Sequence, residues 1–446
     1  NLEISGTITN NGGSNNNYAI NISKNAQIGT ITNKGLIQGS KTHNININTG
    51  SIQTFDNSGT IKNTNSGKWN FYIKSTIENF KNSGLIETKN YGVAFQPTST
   101  ITNFNNTGTI IAKENNARDA VYMNKTTIQT FSNTGTIKGE GSGNIYRNYR
   151  KTVNILSGST IGSFKNEGLI EGKQVGINIE ASTIENFSNS KTIKADNGVL
   201  LSGKTTINNF TNTGTIDGNY AIQVRGNSYV KTLINEGTIK GKEIGLSVHP
   251  GKIDTIINKG TIEATRTLVN RSVSYQGGLG FMNYGSAPSS AKLVINEGLI
   301  KSQTHGIFYE VGNNVETIVN KGTIQAEKYG IRITNTDPNT GSKTTLGKII
   351  LEKDSVIDSK LDAISIEIKN RHTTEVKGID IQKGATIKSE NGAAINVASN
   401  NHITGDINIA GKIEAKTGIS NQGNISASIS ASGDTPLVIE NKGNGN

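Results

Sequence analysis

The chain contains no cysteine, one tryptophan, two methionines, five prolines and five histidines among 446 residues. Without Cys there is no disulfide scaffold, no thiolate metal site and no cysteine nucleophile. Five His leave little for a histidine-based metal centre, so neither a metal nor a cofactor is expected. Aromatic residues make up 5% and hydrophobic residues 33% of the chain. That is too little to fill the several rounded cores this length ordinarily implies, and a thin, repetitive core is the economical alternative. No run of about 18 apolar residues occurs, so no membrane-spanning helix is expected in this fragment. The opening NLEISGTITN has no basic region followed by an apolar one, so an exported chain would already have lost its signal.

Glycine is abundant, at 52 residues, and it is not scattered. The phrase Asn-x-Gly-(Thr/Leu)-Ile recurs with its glycine at Gly35, Gly59, Gly84, Gly108, Gly135, Gly168, Gly214, Gly237, Gly260, Gly298 and Gly322, and with Lys191 in the same slot. Most steps are 23 to 25 residues, and longer ones of 27, 33 and 38 mark insertions. Degenerate copies are read at Gly6, Asp354, Gly384 and Gly411, giving roughly fifteen units of about 23 residues. Each unit holds three short pieces rich in Ile, Val, Thr and Phe, as in TIENFKN, GTI and GINIE. These residues suit a pleated, half-buried surface, and no piece shows a 3.6-residue period over a helical length. The expected fold is therefore all-β: a single-chain parallel β-helix of roughly fifteen rungs over 1–446, with loop insertions near 140–157, 264–290 and 335–348.

Two ladders follow from stacking equivalent positions. Two residues before the anchor Asn stand Phe55, Phe80, Phe104, Phe131, Phe164, Phe187 and Phe210, then Leu233, Ile256, Val294 and Ile318. An internal aromatic stack giving way to an aliphatic section is expected. The anchors Asn57, Asn82, Asn106, Asn133, Asn166, Asn189, Asn212, Asn235, Asn258, Asn296 and Asn320 should bond amide to amide between rungs. The glycine after each supplies either a positive φ or a close backbone approach. Tyr18, His43, Tyr91, Tyr220, His305 and Tyr329 share a slot before the third piece, a regularity that favours turn packing over histidine chemistry. Residues 437–443 read LVIENKG, a fresh start of the repeat with Asn441 and Gly443 in the anchor slots. The chain is thus expected to be a segment of a longer protein, ending inside a rung.

Departures from the repeat are where a solenoid carries function. The first insertion holds Tyr146, Arg147, Tyr149, Arg150 and Lys151, and the second holds Arg266, Arg271, Tyr275, Phe281 and Tyr284. Arg and Lys pair with carboxylate or sulfate while Tyr stacks on a sugar ring, so these are the candidate ligand-binding residues. The alternative is a solvated loop covering the coil edge. Catalytic residues are not expected: Glu352, Asp354, Asp358, Asp362 and Glu367 are spaced around a coil rather than over one groove, and no nucleophile, Walker or HExxH motif occurs. Forty-five Lys and Arg against 34 Asp and Glu give a charge of +11. Spread over this length, that suits an acidic surface better than nucleic acid.

The phrases TFDNSGTIKN, NFKNSGLIET, TFSNTGTIKG and LINEGTIKG resemble the passenger domains of autotransporter proteins, most closely the Campylobacter autotransporter adhesin family. The resemblance covers nearly the whole chain and rests on scaffold motifs. It implies a right-handed β-helix and export to the extracellular side of the outer membrane through a C-terminal β-barrel translocator. The implied partner is a host cell-surface glycan or protein. Self-association between passengers in aggregation or biofilm is the alternative, with a cytotoxin passenger and a polysaccharide-cleaving enzyme behind it.

Overall fold

A computed structural model describes residues 1–12, 18–23, 25–40, 43–65, 67, 69–114, 117–142, 150–267, 276–283, 288–310, 312–334, 344–368, 374–432 and 437–442. Among them, every regular element is a β-strand. The chain divides into two compact units, Asn1–Gly218 and Asn219–Asn446, each a parallel β-helix.

In the first unit a rung consists of three strands, such as Thr100–Asn106, Thr109–Ala112 and Val121–Asn124. Each pairs in parallel with its counterpart one rung on: Phe104 with Phe131, Ile110 with Ile137, Val121 with Val153. The alternation of Ile and Phe with polar residues turns one side of every strand inward, so Ile101, Phe104, Ile110 and Val121 are completely buried. Between the third strand and the next rung the chain turns through a residue with positive φ, as at Thr98, Lys125, Ser157, Ala181 and Lys204. A buried hydroxyl follows and closes that turn: Ser99 Oγ donates to Gln96 O at 2.7 Å, Ser159 Oγ to Leu156 O at 2.7 Å and Thr205 Oγ1 to Ser202 O at 2.8 Å. The Ser or Thr just before each Thr-Ile was the unused sequence signal for this third ladder.

Both expected ladders are present. Rings of Phe104, Phe131, Phe164, Phe187 and Phe210 stack with centroids 4.4 to 5.0 Å apart and interplanar angles of at most 17°. Phe71 and Phe95 add edge-on contacts at 5.4 and 6.0 Å, so third-strand aromatics brace the stack. The asparagine chain starts at Asn33, whose Nδ2 donates to Asn57 Oδ1, and runs through Asn82, Asn106, Asn133, Asn166 and Asn189 to Asn212, with N···O distances of 2.6 to 2.8 Å. Each amide also reaches a carbonyl two residues on, as Asn106 Nδ2 does to Gly108 O at 3.2 Å. Of the two glycine roles, close approach is the operative one. The glycines with positive φ lie elsewhere, whereas a Cβ on Gly108 would stand 2.2 Å from Gly84 O, the carbonyl that accepts Thr109 N–H at 2.9 Å.

The amide chain yields a first expected result. Asn106→Ala removes the acceptor of Asn82 Nδ2 and the donor to Asn133 Oδ1, both at 2.7 Å. A loss of about 1–3 kcal/mol is expected, since a buried polar group is left without its partner. Equilibrium denaturation beside Thr107→Ala, a change at the exposed neighbour, checks it; equal losses would remove the ladder's stabilising role.

The second unit is a coil of the same kind, with Ser290–Asn296, Leu299–Ser302 and His305–Glu310 as one rung. Asn235, Asn258, Asn296 and Asn320 form its amide chain at 2.8 Å per step. Ile256, Val294 and Ile318 pair in register as the aliphatic ladder, and Leu233 is equally buried.

Several expected boundaries move. Beyond Asn320 the anchor column is Leu351, Ile381 and Ile409, all buried, so apolar packing replaces amide bonding. Val356 pairs with Thr323 and Thr386 with Val356, which places Ser355 and Ala385 in the glycine slot. Asp354 and Gly384 lie one residue earlier, in a longer turn where both have positive φ, 67° and 90°. Asn441 pairs with Asn421 in the third-strand column, not with the anchors. The insertions are narrower than expected: Lys151–Leu156, Gly277–Phe281 and Thr344–Leu351 are strands of the coil.

Candidate functional site

In the first unit two columns on the outside of the third strand lie side by side. One is the position two before the buried residues Ile20, Ile45, Phe71 and Val93, occupied by Tyr18, His43, Trp69 and Tyr91. The other is the outward position of the strand, where Asn21, Asn46, Tyr72, Ala94, Tyr122, Asn154 and Asn178 are in register. Strand alternation must turn this second column away from the core.

Where both columns carry rings, they form a continuous outer strip. Tyr18 stacks on His43 at 6.1 Å, His43 meets Trp69 edge-on at 5.5 Å, and Trp69 stacks on Tyr72 at 5.2 Å. Tyr91 then bridges Trp69 at 5.0 Å and Tyr122 at 5.1 Å. All six side chains are half-buried, presenting part of each ring to solvent. At a rung repeat of ~4.8 Å, rings spread over five rungs span ~20 Å. The Trp69 amide N–H donates to His43 Nδ1 at 3.0 Å, which makes that nitrogen an acceptor and places a neutral ring's proton on Nε2.

Charge gathers at one end of the strip. The exposed Arg118 lies with its guanidinium 5.5 Å from the Tyr91 centroid, and its Nη1 donates to the Tyr91 hydroxyl at 3.0 Å. Beneath it Asp119 is 5% exposed and accepts from Asn154 Nδ2 at 2.7 Å and from Lys151 N–H at 3.4 Å. Asn178 Nδ2 continues this network to Asn154 Oδ1 at 2.9 Å. Burial pushes the Asp119 carboxyl up to about 6, against the opposing Asn154 hydrogen bond and the Lys151 charge. Burial likewise raises the Tyr91 hydroxyl, with the Asp119 charge adding to it.

The second unit fills the equivalent columns differently. Phe308 lies over glycines, its ring atoms occupying the space that a Cβ on Gly277 or Gly280 would need, and it packs with Ile244, Met282 and Tyr220. Arg332 sits 4.7 Å over the Tyr329 ring, bonds Glu367 Oε2 at 3.1 Å and meets His305 Nε2 at 3.2 Å. Burial, then the Arg332 charge, depresses His305 to about 3, so its imidazole stays neutral across the physiological range. Burial, followed by the Glu367 charge, pushes Tyr329 up to about 12. Asp362 and Glu367 both bond the Ser365 hydroxyl, at 3.3 and 2.9 Å, while Glu352 pairs with Lys321 at 3.8 Å on another side. Among the described residues no group of three or more His, Asp and Glu is placed to hold a metal ion.

The sequence candidates are only partly brought together. Arg150 N–H donates to Gln174 Oε1 at 2.7 Å, and Lys151 opens a strand beside the strip. Arg266 is turned to Glu243 as an ion pair, so its charge is already matched. Phe281 is completely buried, 5.8 Å from the Tyr309 ring; alternation in its strand points it into the core, and it is not a surface contact. Tyr146, Arg147, Tyr149, Arg271, Tyr275 and Tyr284 lie outside the described residues. Sequence reasoning placed Tyr18, His43 and Tyr91 in one slot but missed Trp69 in that slot and missed Tyr72 and Tyr122 beside it. The residue between two buried ones in FYI and VYM was the available signal.

Fold and surface together define a class: a parallel β-solenoid carrying an outward aromatic strip on its first unit. No family model matches the chain, and neither a curated protein nor a solved structure matches it.

Proposed function

We propose that the chain is the surface-exposed passenger of an autotransporter adhesin, attaching bacteria to host epithelial cells or matrix through one side of its β-helix. The observation that carries this reading is the aromatic strip from Tyr18 to Tyr122. The scaffold does not require it, because other rungs fill the same columns with Asn154 or Asn178. Half-exposed rings with a cation at one end are recognition chemistry, and repeated weak contacts along one side give avidity without a single deep pocket. The protein binds rather than catalyses in this reading, and it acts on the extracellular side of the outer membrane.

The chain is expected to bind cultured epithelial cells, less at raised salt, and to lose at least about ten-fold in apparent affinity, or about 1.4 kcal/mol, when Tyr72→Asn and Tyr122→Asn are combined. Changing Arg147, Arg150 and Lys151 to Ala in parallel reports on the adjoining basic segment. Absence of binding at any salt would sink the adhesin reading.

A second reading has its own observation. The outer face of the first strands carries polar ladders, Asn79 with Asn103 at 3.0 Å and Asn186 with Asn209 at 2.9 Å, a surface suited to side-by-side association of passengers in bacterial aggregation. Concentration-dependent sedimentation tests it, and a strictly monomeric chain at high concentration would count against it.

A further inference from the structure

We infer that the strip is a binding site for an extended, acidic polysaccharide lying along the coil axis, an inference that rests on the adhesin reading and names its ligand class. Three features point there. First, the rings succeed one another rung by rung, and a pyranose unit in an extended chain advances by roughly one rung repeat of ~4.8 Å. A linear glycan can therefore place successive sugar faces against successive rings. Second, the rings are half-buried and held by their neighbours, Trp69 by Tyr72 at 5.2 Å and Tyr91 by Trp69 at 5.0 Å and by the Arg118 hydrogen bond at 3.0 Å. Little side-chain freedom remains to be lost on binding. Third, the charge is one-sided. Arg118 is exposed and forms no ion pair among the described residues; Asp119 below it is turned inward to Asn154 and Lys151, and Glu114 is paired with Lys89 at 2.6 Å. A carboxylate or sulfate on the sugar thus meets a guanidinium that Asp119 influences through space but that no carboxylate among the described residues bonds.

The only tryptophan of the chain lies inside the strip and reports on it directly. The purified chain is titrated with a heparin-derived oligosaccharide, an oligogalacturonate and a neutral cello-oligosaccharide, following Trp69 emission and the heat of binding. The acidic oligosaccharides are expected to perturb Trp69, with affinity falling as salt is raised, and the neutral one to bind at least ten-fold more weakly. Tyr72→Asn and Tyr122→Asn should each weaken acidic binding by about ten-fold or more. Both keep the fold within what the coil already tolerates, since Asn46 and Asn154 are their own register partners, and circular dichroism verifies it. Arg118→Gln should abolish the preference for acidic over neutral sugar. Equal affinity for the neutral oligosaccharide overturns the acidic assignment, and tight binding that ignores both Tyr changes overturns the location. If no oligosaccharide binds while cells are still bound, the ligand is not a glycan and the adhesin reading survives. If cells are not bound either, both fall.

Discussion

Phe131→Ala is expected to destabilise the surrounding rungs by about 3–5 kcal/mol, the cost of emptying a well-packed aromatic site. Phe131 is fully buried and sandwiched by Phe104 and Phe164, each at 4.5 Å with planes within 6°. Its removal takes two ring contacts at once. The backbone register of Phe104, Phe131 and Phe164 is held by hydrogen bonds that cannot slide without breaking the amide chain of Asn106, Asn133 and Asn166, so the cavity cannot collapse. Because each rung contacts only its neighbours, the loss should be local. Hydrogen exchange resolved by residue checks both points: amides of Thr100–Asn106, Thr127–Asn133 and Thr160–Asn166 should lose protection, while those around Ile31 and Ile37 keep theirs. Uniform loss across the first unit would mean that it unfolds as one cooperative body, and the nearest-neighbour account would be wrong.

Asp119→Asn is expected to stabilise the protein above pH 6 and to destabilise it slightly, by about 1 kcal/mol, near pH 4. The Asp119 carboxyl is held at about 6 in the fold against an ordinary 3.8, so the folded chain binds the proton more tightly than the unfolded one. The resulting stability is fully present below pH 4, declines as pH rises through the interval, and is gone above about 6. The gap between the folded and unfolded values corresponds to about 3 kcal/mol. The amide escapes that loss while keeping an oxygen for Asn154 Nδ2, the short bond at 2.7 Å; it gives up the longer one from Lys151 N–H at 3.4 Å. A net gain of about 2 kcal/mol at pH 7.5 remains. Denaturation at pH 4.0, 6.0 and 7.5 decides it. A variant less stable than the parent at pH 7.5 would mean that the ionised carboxylate is stabilised where it sits.

These two residues differ in how legible they were. Phe131 announces itself because its slot repeats: seven phenylalanines at one position of a 23-residue period can only be stacked. The same holds for the asparagines, and for the close-packed glycine slot once its φ is set aside. Asp119 gave no such signal. It falls in the slot used elsewhere by Tyr91 and Val175, but four residues further from the second strand than they do, and its burial depends on what Arg118, Tyr122 and Asn154 do around it. Likewise Phe281 looked like a loop aromatic because the length of its insertion hid the strand Gly277–Phe281.

The amino-acid sequence by itself determined the coil, its three strands per rung and its phenylalanine and asparagine ladders. Inward positions must satisfy the same neighbours in every rung, so the same residues recur and their period can be read. Only the tertiary structure decided which outward residues meet. Trp69, Tyr72, Tyr91 and Tyr122 come from two different columns and three different rungs, and turns of unequal length set which side chains become adjacent. Outward positions are not held to one residue type, Asn46, Tyr72 and Ala94 following one another in a single column, so no period records which of them meet; they become a surface only when the rungs are stacked.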